Sequence, residues 1–279
     1  MKPPCMRVSV LIPVYNEEHT VSTVVEKVLA LGDPVKEVVV VDDGSTDGTA
    51  LVMKSVANQN PSVRFFKLEK NQGKTAAIRH ALSRATGQVI IIQDADLEYD
   101  PAEIPVVVAP IIDGHADVVY GSRFLVRSAT RVLYFYHYLA NQALTFMSNL
   151  FTNRNMTDVE TGYKAFLAEV IVPLDLTSSG FGMEIEITAM VCKTKARTYE
   201  VPISYYGRSY EEGKKIGFKD GVMAGLYIVY YNLIKPRLPA GRRYIRQVNE
   251  FLESAAERRE PASLESARSA DQFDRNRVP

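Results

Sequence analysis

The chain has 279 residues, 46% hydrophobic and 24% charged, proportions that exclude a disordered, collagenous or disulfide-framework protein and point to one large α/β unit with appendages. Thirty-three basic residues balance thirty-three acidic ones, so no net field draws the molecule to nucleic acid and any polyanion contact must be local. Cys5 and Cys192 lie far apart with no Cys-x-x-Cys pair, which argues against a zinc or redox motif and fits a reducing compartment.

The apolar run from Val8 to Val14 contains Pro13 and leads straight into Asn16, Glu17 and Glu18 without a small-residue cleavage site, so it reads as a buried strand rather than a signal peptide. Strands are predicted over 7–12, 37–41, 63–67, 89–92 and 117–120, and helices over 17–31, 47–57, 73–85 and 102–112. This alternation predicts a parallel sheet covered by helices on both faces. After Gly121 it stops: amphipathic helices take over, with a short β-ribbon expected around 198–206. From Ala240 the chain turns Arg- and Glu-rich, and the small polar residues after Pro261 predict a surface helix followed by a frayed tail. There is no internal repeat.

Two segments, 132–153 and 221–234, lack charged residues. The first is broken by His137, Asn141, Gln142, Ser148 and Asn149, and the second is shorter than the ~20 residues a span needs, so neither is predicted to cross a bilayer. Both crowd aromatics (Tyr134, Phe135, Tyr136, Tyr138; Tyr227, Tyr230, Tyr231) between basic flanks at Arg123, Arg127 and Arg131, then Lys235, Arg237, Arg242 and Arg243. Helices lying in a membrane interface have this character, and core helices with solvated basic ends share its periodicity.

In an open parallel sheet, ligands bind beyond the carboxyl ends of the strands. The loops there are all polar: Tyr15-Asn16-Glu17, Asp42-Asp43-Gly44-Ser45, Asn71-Gln72-Gly73-Lys74, Asp94-Ala95-Asp96 and Gly121-Ser122-Arg123. They are not a dinucleotide fingerprint, since Pro13-Val14-Tyr15-Asn16-Glu17-Glu18 stands where Gly-x-Gly-x-x-Gly is required. Gly73-Lys74-Thr75 is not the end of a P-loop, because Leu68 replaces the upstream glycine. The run from Asp43 to Gly48 is not a calcium loop, because Lys54 occupies the position that must supply a bidentate carboxylate; it reads as a turn in which Ser45 or Thr46 caps a helix.

Asp94 and Asp96, spaced i, i+2 after a buried strand, place two carboxylates on one face, where they can share a hard cation such as Mg2+ or Mn2+. An Asp-x-Asp that merely caps a helix is the alternative, and the polar loops around it favour the metal. Lys74 at a helix start offers a cation beside free backbone N–H groups, a fitting place for phosphate. Asp42 and Asp43 divide between contacts to a nucleobase or ribose and turn chemistry before Gly44.

The strings LIPVYNEE, VVDDGSTDGT, NQGK, IQDADLEYDP and GSRF, in this order and spacing, resemble the family 2 glycosyltransferases of GT-A fold. DVETGYKAF, FGMEIEI and VPISYYGRSYEEGKKIGFKDG further resemble the branch of dolichol-phosphate mannose and glucose synthases. The resemblance covers about residues 7 to 234. It implies a Rossmann-like, mostly parallel sheet with interface helices: a glycosyltransferase domain over 1–234, split near 122 into nucleotide-sugar and acceptor halves, and a basic and polar C-terminal extension over 235–279. It also implies that Pro13, Tyr15, Glu17, Asp42 and Asp43 hold the base and ribose of a UDP- or GDP-hexose. Lys74, Gln93, Asp94, Ala95 and Asp96 would surround the diphosphate and its Mg2+ or Mn2+, Arg208 would close over the phosphates, and Arg123 and Arg131 would meet the phosphate of a polyprenyl acceptor. The spacing from Arg131 to Asn141 departs from the mannose synthases, and His137 stands where they carry serine.

A polyprenyl phosphate already carries an anionic oxygen at neutral pH, so its transfer needs no general base. Single displacement would invert the anomeric centre. A hydroxyl acceptor would instead need Asp158, Glu160 or Glu184 as base, and a non-catalytic sugar-nucleotide binder would be expected to lose the Asp94, Asp96, Lys74 or Arg208 that this chain keeps. The lipid acceptor implies a peripheral enzyme on the cytoplasmic leaflet, with no span of its own. Asn155-Met156-Thr157 would be a glycosylation acceptor only in a secreted protein.

Overall fold

Strands that are apolar at every position can be buried only when both faces of their sheet are covered. The computed structural model describes residues 6–125, 134–180, 182–207 and 218–275, and its seven-stranded sheet meets that demand. β1 (Val8–Val14), β2 (Val35–Asp42), β3 (Val63–Lys67), β4 (Val89–Ile92), β5 (Val118–Ser122), β6 (Lys164–Leu167) and β7 (Thr198–Pro202) lie in the order β3-β2-β1-β4-β6-β5-β7. β1, β2, β3 and β4 are parallel, as are β5 and β7, while β6 runs antiparallel between β4 and β5.

The helices of the first half are α1 (Val21–Ala30), α2 (Thr49–Gln59), α3 (Lys74–Leu82) and α4 (Ile104–Ile112). Val21, Val24, Val25 and Val28 of α1 and Ile104, Val107, Val108 and Ile111 of α4 are buried, each set being the i, i+3, i+4, i+7 stripe of a helix packed on one face. α1 begins four residues later than its periodicity predicts, because the Glu17 N–H donates to Thr49 Oγ1 and the Asn16 N–H to Ser45 Oγ, drawing residues 15–20 into a loop against the next one. Neither Ser45 nor Thr46 caps α2. Ser45 and the Thr46 N–H hold Asn16, and Asp47 Oδ1 accepts the Thr49 N–H instead.

Past β5 the chain forms α5 (Phe135–Thr152), returns through β6, and continues as α6 (Ala168–Ile171), α7 (Gly182–Val191), β7, α8 (Phe218–Val229), a π-turn at Tyr230–Ile234 and α9 (Pro239–Arg275). The expected ribbon near 198–206 is a single strand, β7, which pairs with β5 at the sheet edge; β5 offered an open edge that a neighbouring strand could extend. The expected tail after Pro261 continues α9 as far as Arg275. α7 is buried along its whole length. It separates the main core from a smaller cluster in which Ile185, Ala189, Ala224, Ile228 and Tyr231 join α7 to α8, with Leu144, Met147 and Phe151 of α5 against them.

α5 is inside out. Thr145, Ser148 and Thr152 face the protein, whereas Tyr136 is 80% exposed and Phe146 and Leu150 are each 71% exposed. α8 and the turn after it add exposed Val222, Met223, Leu226, Tyr230 and Leu233 to this apolar surface. No helix among the described residues is long and apolar enough to cross a membrane.

Ile91 sits in the middle of the sheet at 0% exposure. Ile91→Ala is expected to lower the unfolding free energy by about 2–5 kcal/mol, while Leu226→Ala on the exposed face should shift it by less than about 0.5 kcal/mol. Urea denaturation of the two variants checks the contrast.

Candidate active site

The loops after β1, β2 and β3 are drawn together by carboxylates that accept backbone N–H groups, and the loop after β4 joins them through Lys74. Asp42, at 0% exposure, accepts the Ser45 N–H at 2.7 Å and lies 3.5 Å from Lys67 Nζ. Asp43 accepts the N–H groups of Gln72 and Gly73 at 2.8 and 2.7 Å. Gly73 takes φ +90°, a conformation that favours glycine, and so delivers Lys74 as the first residue of α3. Both aspartates thus shape loops, while Pro13 is buried near the end of β1 and exposed Tyr15 and half-buried Glu17 follow it.

After β4, Gln93 is fully buried, and its amide donates to the carbonyls of Asp94 and Tyr99, bending residues 94–99 into a compact loop. Ala95 is buried within it, and Asp96 Oδ1 accepts the Glu98 N–H. Lys74 Nζ lies 2.8 Å from Asp94 Oδ1 and 3.1 Å from Glu184 Oε1 on α7. Burial alone would lower the Lys74 pKa, but the two carboxylates hold the ammonium above the ordinary lysine range. Gly162 backs this group so closely that a Cβ would stand 2.6 Å from Asp94 Oδ2. Asp94 and Asp96 present hard carboxylate oxygens from one loop, a donor set that fits Mg2+ or Mn2+ sharing phosphate and water ligands.

Arg123, at the end of β5, donates Nε–H and Nη2–H to fully buried Asp158 at 2.6 and 2.7 Å and lies over the Tyr205 ring. Glu98 accepts the Tyr205 hydroxyl at 2.7 Å, and its carbonyl accepts the Tyr206 N–H. The Asp94–Asp96 loop therefore tethers the chain just before Arg208. Arg208 itself and Arg131 lie outside the described residues.

Behind these groups, Lys164 donates to the carbonyls of Val159 and Thr161 and faces the Tyr120 ring. Burial pulls Lys164 down to about 8, against the attraction of Glu184, Glu160 and Asp158. Burial, then the Glu184 charge, pushes Glu160 up to about 7, and its Oε1 is enclosed without a hydrogen-bond partner. Tyr99, Gly162, Lys164 and Tyr205 were not singled out from the sequence. The signal for Gly162 and Lys164 was present in DVETGYKAF, where charges interrupt a stretch otherwise suited to a core, while Tyr99 lies in IQDADLEYDP and Tyr205 in VPISYYGRS.

A mixed sheet whose strand ends gather an Asp-x-Asp loop, a buried lysine and an arginine is a GT-A-like α/β fold. The sequence profile described as Glycosyl transferase family 2 matches residues 9–172, and the chain belongs to that family. It is 29% identical over 215 residues to a dolichol-phosphate mannosyltransferase of Pyrococcus furiosus, covering 76% of this chain and 60% of that protein. An undecaprenyl-phosphate mannosyltransferase of Micrococcus luteus is also 29% identical, with 76% of this chain and 88% of that protein covered. Among solved structures, Mycobacterium tuberculosis glucosyl-3-phosphoglycerate synthase in complex with Mn2+, UDP and phosphoglyceric acid shares the fold: TM-score 0.63 at 20% identity, over 82% of this chain and 79% of that one.

Two outcomes follow from the buried charges. The folded-state pKa of Glu160 lies above the ordinary 4.5, so the native state binds more protons and ionisation of Glu160 opposes folding as pH rises. Glu160→Gln should match wild type at pH below 4.5 and become progressively the more stable up to about pH 7, as read from urea midpoints across pH. Arg123→Ala strands Asp158 and should cost about 3–5 kcal/mol of stability, read in the same assay.

Proposed function

We propose that the chain transfers a hexosyl group, glucose or mannose, from UDP- or GDP-hexose to a polyprenyl phosphate at a membrane surface. The observation that carries the reading is how the acidic side chains beside the Asp94–Asp96 loop are engaged. Asp158 is held by Arg123 and Glu184 by Lys74, so neither is poised to deprotonate a hydroxyl, and an acceptor that is already an anion needs no such base. The names of the Pyrococcus and Micrococcus relatives support a polyprenyl-phosphate acceptor. The chain spans 60% of the length of the Pyrococcus protein.

In this reading, Pro13, Tyr15 and Glu17 line the nucleoside end of the cleft. Asp42 and Asp43 act through the loops they shape, and Gln93 and Ala95 through the bend that presents Asp94 and Asp96. Those two carboxylates would hold Mg2+ or Mn2+, which when bound supplies a Lewis acid that neutralises charge on the diphosphate. Lys74, and Arg208 from the segment tethered by Tyr205 and Tyr206, stabilise the departing diphosphate electrostatically. Arg123 keeps guanidinium N–H groups beyond those given to Asp158 and, with Arg131, orients the acceptor phosphate so that its oxygen approaches the anomeric carbon opposite the leaving group. That oxygen forms the new bond as the diphosphate leaves, and the configuration inverts.

The exposed apolar side of α5 supports the membrane setting, since an exposed apolar surface of this extent marks an interaction site. A hydroxyl acceptor is the second reading, favoured by Glu160, whose raised pKa suits a general base. Its enclosed Oε1 argues for the first.

Transfer of radiolabelled sugar from a panel of UDP- and GDP-hexoses to a short polyprenyl phosphate in detergent, with Mg2+ or Mn2+ or with chelator, tests the reading. A metal-dependent, acid-labile lipid product is expected from wild type, with turnover reduced at least about 10²-fold in Asp96→Ala. Donor consumption without a lipid product would shift the acceptor to a hydroxyl and Glu160 into the role of base.

A further inference from the structure

The first turns of α9 carry charge in an unusual arrangement. Pro239, Arg242, Arg243 and Arg246 follow the i, i+3, i+4, i+7 spacing of one helix face, opposite Tyr244 and Val248, which are buried against the protein. With Arg237 they line a pocket of about 360 Å³. Between Pro239 and Asn249 the sequence has no acidic residue, and among the described residues Arg242 and Arg243 have no carboxylate partner. Arg246 reaches only Glu250, at 3.9 Å and itself exposed. Like charges three and four residues apart destabilise a helix, so the cluster weakens α9 unless an anion sits among the guanidinium groups. Such forked donors suit a phosphate.

The pocket begins where the apolar surface ends. Arg237 donates to the Leu233 carbonyl, and Leu233, Ile234 and Leu238, all 40–49% exposed, separate it from the exposed side of α8. A phosphate bound here would sit beside apolar side chains on the same stretch of chain, which is the arrangement a phospholipid presents: an anionic head next to acyl carbon.

We propose that Arg237, Arg242, Arg243 and Arg246 bind the phosphate of an anionic phospholipid headgroup, separately from the catalytic cleft, and so fix how the protein lies on its membrane. This rests on the reading that the α5 and α8 surface enters a membrane. The aromatic face supplies depth, and the arginines restrict docking to a negatively charged leaflet. Each arginine near such a surface contributes enough to strengthen binding about fivefold, screened by salt.

Co-sedimentation of the full chain with phosphatidylcholine vesicles, with and without phosphatidylglycerol, tests this. Wild type should bind the phosphatidylglycerol vesicles more tightly, and R242A/R243A/R246A should lose about two orders of magnitude on them while binding phosphatidylcholine as wild type does. Its melting temperature should not fall, since the three side chains are exposed. Leu226→Glu with Leu233→Glu should lose binding to both vesicles. If the arginine variant binds phosphatidylglycerol vesicles as wild type does while the glutamate variant loses binding, the pocket assignment is overturned and the membrane reading stands. If wild type binds neither vesicle, both fall. Release of wild type from phosphatidylglycerol vesicles by inorganic phosphate at constant ionic strength would assign the pocket to free phosphate and overturn the lipid.

Discussion

The ammonium of Lys74 is shared between Asp94 and Glu184, the latter 110 positions away in sequence, and this contact joins the first turn of α3, the loop after β4 and the buried helix α7. Two carboxylates this close would repel and resist burial without a cation between them. The lysine therefore permits the Asp94–Asp96 loop to pack against α7, and Gly162 leaves room for both. Gln93 and Asp43, neither of which needs to touch a ligand, hold the two loops that bring the pair together.

Around that contact lie further buried charges: Glu160, pushed up by burial and by the neighbouring Glu184, Lys164 on two backbone carbonyls, and Asp158 paired with Arg123. Burial of so many ionisable groups costs stability that a purely apolar interior would not, and perturbed groups gathered in a cleft are a mark of function. The pairing is uneven. Asp94 and Glu184 are held by Lys74 and Asp158 by Arg123, whereas among the described residues Glu160 has no cation in hydrogen-bond contact and its Oε1 is enclosed without a partner.

The first half of the sheet was legible because buried parallel strands have a simple signature: VVVV in β2 and VIII in β4 admit no other placement, and the polar residue after each marks the ligand edge. The second half was not. β6 is four residues long and opens with Lys164, whose charge hides a strand that is buried only because two carbonyls and the Tyr120 ring receive its ammonium. β7 was visible as extended chain, but pairing with β5 is a tertiary choice. Asp94 and Asp96 stood out by their i, i+2 spacing after an apolar strand, and Lys74 by its place at a helix start. What spacing could not disclose is that Asp42, Asp43 and Gln93 turn their side chains toward backbone, or that Asp158 takes Arg123 out of solvent. α5 misleads any inward-apolar rule, since its threonine and serine face the protein.

The role of Lys74 can be measured directly by calorimetric titration of UDP or GDP, and separately of Mn2+, into wild type and Lys74→Met. Removing the ammonium frees Asp94 for the ion and strips a cation from the diphosphate. The variant should therefore bind Mn2+ alone more tightly and the nucleotide at least about tenfold more weakly. Unchanged affinity for both would mean that Lys74 serves only to pack α3 against α7, and that the cleft after β4 is not where a sugar nucleotide binds.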